Sequence, residues 1–237
     1  MYNLGLTLLK CVLDDKHFKH QVKHQEEVKM KERFAVSFII LISVLLPLSV
    51  FASDNDYSLR LWGQASPFIS GSAGSGSGAP DYDDAFNSGI GIGGEFDWRF
   101  SQRISLLAGI GYETYNGSSH QGISFEDIEI VPVYAGGKFH ITPKTTRWDP
   151  YLRMDIGAAH LSSVDVSYQN IKGRYWDSSW VFLFGFGGGV EYRWGRWGVS
   201  LEGKFRYMGE PDSAMGFPST AGSSWTVPIV VGINYHF

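Results

Sequence analysis

The last thirteen residues of the chain, Trp225 to Phe237, alternate between two kinds of position. One parity is apolar throughout: Trp225, Val227, Ile229, Val231, Ile233, Tyr235 and Phe237. The other parity includes Thr226, Gly232, Asn234 and His236. A period of two predicts a β-strand with one apolar face. That face continues to the final residue, as expected of a strand whose outer side contacts lipid.

Seven earlier segments show the same alternation, and turn-forming residues separate them. They are residues 57–70, 86–100, 103–116, 128–141, 150–163, 179–194 and 197–208. With the C-terminal segment they predict eight strands. Eight is an even number and gives the smallest common transmembrane barrel.

Two parts of the sequence resemble the small outer-membrane β-barrel proteins, which include porin-like, opacity-type and OmpA-barrel-like families. One is the alternation that ends on Phe237, and the other is the pair of segments 131–139 and 150–159, which resembles their central hairpin. The resemblance implies an all-β fold, a single eight-stranded antiparallel up-and-down barrel in the outer membrane of a Gram-negative bacterium. It also implies that Ile233, Tyr235 and Phe237 form a signal for the barrel-insertion machinery.

The connections between the predicted strands differ in length. Residues 101–102, 142–149 and 195–196 are short or compact. The longer connections are residues 71–85, 117–127, 164–178 and 209–223. Barrels of this class have short periplasmic turns and longer extracellular loops. Both ends of the predicted barrel are therefore expected in the periplasm.

We expect three parts along the chain. Residues 1–29 fit no element and precede Met30, so we interpret them as an extension from a start codon assigned too early. Residues 30–52 are typical of a cleaved signal peptide, with a basic start, an apolar run and a small residue, Ala52, at the cleavage site. A transmembrane helix is the alternative for that run. Residues 53–237 are the predicted barrel domain.

The charge and cysteine content of the predicted barrel domain exclude some classes of partner. It contains 13 Lys and Arg against 19 Asp and Glu, a net charge of −6. No basic patch or nucleic-acid-binding module is evident, so no nucleic-acid partner is expected. The chain's one cysteine, Cys11, precedes this domain, which therefore has no disulfide framework.

Charged residues on the inward parity are expected to fill the lumen. The cations are Arg60, Arg99, Lys138, Arg153, Arg193, Lys204 and Arg206, and the anions are Glu95, Asp97, Glu113, Asp155, Glu191 and Glu202. An eight-stranded barrel is just wide enough to be filled by side chains. Because unpaired buried charges are costly, this near-balance predicts ion pairs that plug the barrel. A narrow ion path is the alternative. Inward glycines such as Gly93 would make room for long side chains.

The loops and the tryptophans suggest further features. Residues 71–78 are Gly- and Ser-rich and predict a flexible loop without the features of a phosphate-binding loop. Acidic loop residues could hold Ca²⁺ or meet the divalent ions of lipopolysaccharide, although solvated charge is the simpler interpretation: Asp81, Asp83, Asp84, Glu126 and Asp127. We expect the eight tryptophans mostly in interfacial girdles. Tyr168, Tyr175 and Trp176 are a secondary candidate for a binding platform.

No motif predicts a catalytic, metal or cofactor site. His160 and Ser162 resemble the His-x-Ser pair of the lipid A deacylases, but the pair lies on an earlier strand and lacks a convincing Glu partner. We therefore predict a structural or surface-interaction protein rather than an enzyme. Its expected partners are outer-membrane lipid, lipopolysaccharide, the insertion machinery and an extracellular ligand or host surface. A small porin and a lipid A-modifying enzyme are the alternatives.

Overall fold

The computed structural model describes residues 56–74, 80–168, 171–212, 214 and 221–237. The predicted extension, residues 1–29, and the predicted signal peptide, residues 30–52, lie outside the described residues, as do residues 75–78 of the Gly- and Ser-rich loop. None of the helices in these ranges is long and apolar enough to cross a membrane.

Fourteen strands are present in the described ranges. In chain order they are β1 (Asp56–Ser66), β2 (Phe68–Ser70), β3 (Gly89–Arg99), β4 (Ile104–Tyr115), β5 (Ser119–His120), β6 (Ile123–Phe125), β7 (Ile128–His140), β8 (Trp148–Leu161), β9 (Val164–Tyr168), β10 (Ile171–Trp176), β11 (Ser179–Trp194), β12 (Trp197–Met208), β13 (Ser224–Thr226) and β14 (Ile229–His236). One short helix, α1 (Tyr82–Ala85), lies between β2 and β3.

Eight of these strands close into an antiparallel barrel. Their order around the ring is β1-β3-β4-β7-β8-β11-β12-β14, and each strand pairs with both of its neighbours. The ring closes where β14 meets β1, with Leu61 opposite Ile233 and Ala65 opposite Ile229. Each barrel strand is connected along the chain to the strand beside it, and the first and last strands pair to close the ring. The up-and-down eight-stranded barrel is therefore confirmed.

Side-chain exposure separates the two faces of each barrel strand. On β1, Leu61 is 68% exposed whereas Arg60 is 2% exposed. On β3, Ile92 is 69% exposed and Glu95 is 1% exposed. The apolar parity thus faces outward and the charged parity faces into the lumen. This arrangement is typical of a barrel surrounded by hydrocarbon.

Prolines interrupt two strands that the sequence pattern predicts as continuous. The C-terminal segment divides into β13 and β14 at Pro228, and the first segment divides into β1 and β2 at Pro67. Proline has no N–H for the ladder. The two interruptions lie together, because the Val227 N–H donates to the Pro67 carbonyl over 3.0 Å.

The longer connections contain regular structure of their own. Strands β5, β6, β9 and β10 form a separate antiparallel sheet in the order β10-β9-β6-β5, which we call the outer sheet. It joins two connections that the sequence analysis treats as loops, residues 117–127 and 164–178. Strands β2 and β13 extend the barrel wall at the same end.

Candidate functional site

An ion-pair network at the centre of the lumen joins side chains from several strands. The Glu95 carboxylate contacts the Arg153 guanidinium at 2.7 Å and the Lys138 ammonium at 2.8 Å. The Glu202 carboxylate contacts Arg60 at 2.9 Å and Arg153 at 3.3 Å. All five side chains are buried. Arg153 thus connects two carboxylates from different strands, Glu95 on β3 and Glu202 on β12.

Further partners surround this centre. Lys138 also contacts Asp97 at 2.7 Å. Asp155 accepts a hydrogen bond from Arg153 Nε at 2.7 Å and lies 3.8 Å from Lys204 Nζ. Two buried tyrosines, which the sequence analysis does not include, donate to the same carboxylates: Tyr151 to Glu202 over 2.9 Å and Tyr134 to Glu95 over 3.2 Å.

A second group of contacts lies nearer the outer end of the lumen. Arg206 on β12 forms a bidentate pair with Glu113 on β4, and its Nη2–Oε2 distance is 2.7 Å. Tyr115 accepts from Arg206 over 2.9 Å and lies 3.0 Å from both Glu113 and Ser66. Arg206 Nε donates to the Thr226 hydroxyl over 3.1 Å. The guanidinium is therefore bonded on several sides.

Asp149 is the centre of a third group, at the opposite end of the lumen. Its Oδ2 atom contacts Arg99 at 2.6 Å, Arg193 at 2.7 Å and His140 at 2.9 Å. Sequence reasoning missed Asp149 because it assigned this residue to a turn. The signal was present, since Asp149 continues the inward parity of β8, on which Asp155 and Arg153 lie.

Glu191 completes this third group. Its carboxylate contacts His236 at 2.6 Å and Arg193 at 3.1 Å. The polar cavity between these groups and the central network has a volume of about 10 Å³, which holds no more than about one water molecule. The structure thus places all thirteen charged side chains expected in the lumen there, and twelve of them are buried; Arg193 is partly exposed.

An aromatic cluster covers the outer end of the lumen. Phe68 packs on Tyr82 and Tyr115 with ring centroids 5.0 and 4.7 Å apart, and Phe86 packs on Trp176 at 5.8 Å. We call the rings of Phe68, Tyr82, Phe86, Phe125 and Trp176 the aromatic cap. Burial raises the pKa of the Tyr82 phenol, so the hydroxyl stays protonated and donates to the Gly222 carbonyl. Within the described residues, these buried rings fill the outer end of the lumen.

The positions of two tryptophans correct the sequence analysis. Trp176, a candidate there for an exposed platform, is 1% exposed and belongs to the aromatic cap. Trp62 is not in a girdle, because its ring points into the lumen over Gly93 and Gly111. The signal was in the alternation of β1, because Trp62 shares the inward parity of Arg60.

Two histidine arrangements bear on hydrolysis. His160 packs its ring on Trp180 at 5.2 Å, and the Ser162 hydroxyl accepts from the Glu129 N–H. In the lumen, Ser105 Oγ lies 2.8 Å from His140 Nε2, and His140 Nδ1 lies 2.9 Å from Asp149. This order of groups matches a Ser-His-Asp triad. However, Ser105 is fully buried, so no substrate carbonyl can reach it in this structure.

Two of the acidic loop residues lie near basic side chains. Asp84 lies 3.8 Å from His120, and Glu126 contacts Lys172 at 2.9 Å on the outer sheet. Across the described part of the chain, no group of three or more His, Cys, Asp or Glu side chains is arranged to hold a metal ion.

Comparisons with known proteins identify the fold. No protein-family model matches the chain, and no curated protein matches it. Among solved structures, the outer membrane protein OprG from Pseudomonas aeruginosa aligns with a TM-score of 0.52 at 13% identity, over 77% of this chain and 96% of that one. Ail, the attachment invasion locus protein of Yersinia pestis, aligns with a TM-score of 0.48 at 14% identity, over 78% and 100% of the two chains. Neisserial surface protein A aligns with a TM-score of 0.47 at 12% identity, over 78% of this chain and 98% of that one. The closed ring of eight strands and the alignment with OprG show that the chain has the fold of the small eight-stranded outer-membrane β-barrel proteins.

Proposed function

We propose that the protein is a closed outer-membrane barrel that acts structurally and through its extracellular surface, and that its lumen does not conduct. The observation that carries the proposal is the filled lumen. Three groups of ion pairs cross it, and the cavity near its periplasmic end has a volume of about 10 Å³. A hydrated ion would need several connected spaces of that size.

The charge pairing supports a structural role for these groups. Glu95 has two close cationic partners, Arg153 and Lys138, and a third, Arg60, at 3.8 Å. An ion passing through would have to displace such contacts between buried side chains. That displacement is expensive in a confined interior of low dielectric constant. A small porin is therefore the less favoured role.

The extracellular face offers the surface for recognition. On one side of the outer sheet, Lys172 and Arg174 are charged and largely accessible, and Asp165 is partly accessible. Toward its far end, the register aligns Ile123, Tyr168 and Ile171 across three strands, and Ile171 is 74% exposed. A surface with both charged and apolar exposed groups fits recognition of an extracellular ligand, a host surface or lipopolysaccharide.

Planar-bilayer recording of the purified barrel tests this proposal. The wild-type protein should give no steady conductance, because its lumen is closed. Replacing both Arg153 and Glu202 with alanine removes the central contacts and is expected to admit water, whereas the exposed pair Arg174→Ala and Asp165→Ala serves as the control. Steady wild-type conductance that changes with Arg153 substitutions would contradict the proposal and favour the porin.

Placement in the outer membrane is tested separately. The folded barrel should fractionate with the outer membrane and migrate anomalously on a gel until it is boiled. Mass spectrometry of lipid A from cells with and without the protein tests the enzymatic alternative. An unchanged lipid profile is expected, since the Ser105 hydroxyl is inaccessible.

A further inference from the structure

An arginine directly precedes three of the four strands that run outward from the periplasmic end. Arg103 precedes β4, Arg147 precedes β8 and Arg196 precedes β12. The first lipid-facing residue after each arginine is large and apolar: Ile104, Trp148 and Trp197 are 44%, 60% and 49% exposed. The same pair of side-chain types therefore recurs at three places on one rim.

Backbone hydrogen bonds hold the three arginines at equivalent heights. The carbonyl of Arg103 accepts from the His140 N–H over 2.7 Å. In the same way, the Arg147 carbonyl accepts from the Arg193 N–H over 2.8 Å, and the Arg196 carbonyl accepts from the His236 N–H over 2.7 Å. Each donor lies at or next to the last residue of the neighbouring strand, which runs toward the periplasmic end. The arginines thus form a regular feature, which we call the arginine rim.

Aromatic side chains mark the depth of this rim. Trp148 packs on Tyr192 with ring centroids 4.8 Å apart, and Trp197 packs on Tyr235 at 5.0 Å. Tryptophan and tyrosine concentrate where hydrocarbon meets the headgroups. The arginine that precedes each of these tryptophans therefore lies at the level of the lipid phosphates in the periplasmic leaflet.

The turns that carry the rim are rich in cations. The turns 100–103, 141–147 and 195–196 contain four Lys or Arg residues and no Asp or Glu. Within the described ranges, no carboxylate forms an ion pair with Arg103, Arg147 or Arg196, and all three are exposed. Among the described residues, Asp149 and Glu191 lie at the same end, and both are buried and paired.

A groove lies between two of these turns. Its volume is about 440 Å³, and Lys144, Thr145, Arg147 and Trp194 are among its lining residues. Lysine, arginine and hydroxyl groups are the usual protein partners of phosphate oxygens, and the Trp194 ring can contact the glycerol and the first carbons of an acyl chain. The groove is thus suited in size and chemistry to one phosphodiester headgroup.

We propose that the arginine rim and this groove bind the headgroups of anionic phospholipids in the periplasmic leaflet. The inference relies on the proposed membrane placement but not on a closed lumen. The extracellular end is not expected to bind anionic headgroups in this way, because the connections there carry an excess of acidic residues. The rim would therefore hold the barrel at a fixed depth and give it a preferred lipid shell on the periplasmic side.

Native mass spectrometry of the detergent-extracted protein tests the proposal. The protein is mixed with equal amounts of phosphatidylglycerol and phosphatidylcholine of the same chain length. The wild type should retain mainly phosphatidylglycerol. In the double variant Arg147→Gln and Arg196→Gln, the ratio of bound phosphatidylglycerol to bound phosphatidylcholine should fall about fivefold or more. This estimate follows from the usual contribution of each cation near an anionic surface.

The control variant, Lys172→Gln and Arg174→Gln, removes the same charge from the extracellular end and should keep the wild-type preference. Equal losses in both variants, or no loss in the rim variant, would overturn the inference. So would arginine-dependent binding to isolated peptidoglycan without any lipid preference. Each variant is first checked for heat-modifiable migration, so that a failure of membrane placement is detected independently of lipid binding.

Discussion

Arg206 and Glu113 face each other from diametrically opposite strands of the barrel. The ring order places β12 and β4 four strands apart in either direction, yet the two side chains form a bidentate ion pair. Both residues are at most 1% exposed. This single pair therefore ties together opposite walls of the barrel beneath the aromatic cap.

Replacing Arg206 with alanine should destabilise the barrel by about 3–5 kcal/mol, because it leaves the Glu113 carboxylate buried without its main partner. The double variant Arg206→Leu and Glu113→Leu should recover much of that loss, since it removes both charges. Guanidinium unfolding followed by tryptophan fluorescence measures the difference. The exposed variant Arg174→Ala is the control, and its midpoint should stay at the wild-type value. If the single and the double variant were equally unstable, the pair would not be the source of the effect.

Trp62 explains why two lumen-facing glycines are required. A Cβ added at Gly111 would lie 2.6 Å from Trp62 Cη2, with the nearest backbone oxygen, that of Ile92, at 3.3 Å. A Cβ added at Gly93 would also meet the Ile110 carbonyl oxygen at 2.5 Å. Gly111→Ala should therefore cost about 1–3 kcal/mol through overpacking, and Gly93→Ala should cost at least as much.

The Trp62→Leu background separates the two cases. Leucine removes the ring that a methyl group added at Gly111 would strike, so the cost of Gly111→Ala should fall to near zero in that background. The cost of Gly93→Ala should persist, because the Ile110 carbonyl oxygen does not move with the side chain. Unfolding free energies from the two double-mutant cycles give these increments. Equal rescue at both glycines would show that backbone contact does not matter at Gly93.

The lumen charges could be predicted from sequence because parity is a local property. Arg60 and Leu61 differ in polarity, and a one-residue step reverses the face. The same parity places Trp62 inward with Arg60, although the polarity of an indole ring alone suits either face. Parity cannot say which inward charges meet, since the Arg206–Glu113 pair depends on the closure and stagger of the whole ring.

The outer sheet could not be predicted for a different reason. Its strands are short, β5 having two residues and β6 three, so no periodicity can be counted in them. Strand β5 pairs with β6, and β6 pairs with β9, which lies much further along the chain, beyond β7 and β8. Phe125, which belongs to the aromatic cap, and Val164 are buried in one hydrophobic cluster with it, and that cap is itself assembled from three separate connections.

Truncation of Trp176 tests whether the cap orders the outer sheet. The side chain is 1% exposed and packs on Phe86 and Tyr82, so Trp176→Ala should cost about 3–5 kcal/mol locally. Residues 164–178 should then become sensitive to added protease on whole cells, while the barrel stays heat-modifiable. Ile171→Ala, which truncates a side chain that is 74% exposed, is the control and should stay resistant. Resistance in both variants would mean that the cap does not order the sheet.

The C-terminal residue provides the last prediction, which concerns assembly rather than stability. Phe237 is 42% exposed and packs edge-on against Tyr235, and its N–H donates to the Tyr57 carbonyl over 3.0 Å. If Ile233, Tyr235 and Phe237 form the insertion signal, Phe237→Ala should lower the amount of folded protein in the outer membrane severalfold. The backbone hydrogen bond is retained in this variant, so the purified protein should refold in detergent as the wild type does.

Phe100→Ala removes a ring of similar exposure (45%) from the same end of the barrel and should assemble normally in cells. A refolding defect in detergent, or an equal loss for both variants in cells, would assign the effect of Phe237 to packing at the membrane interface instead of recognition.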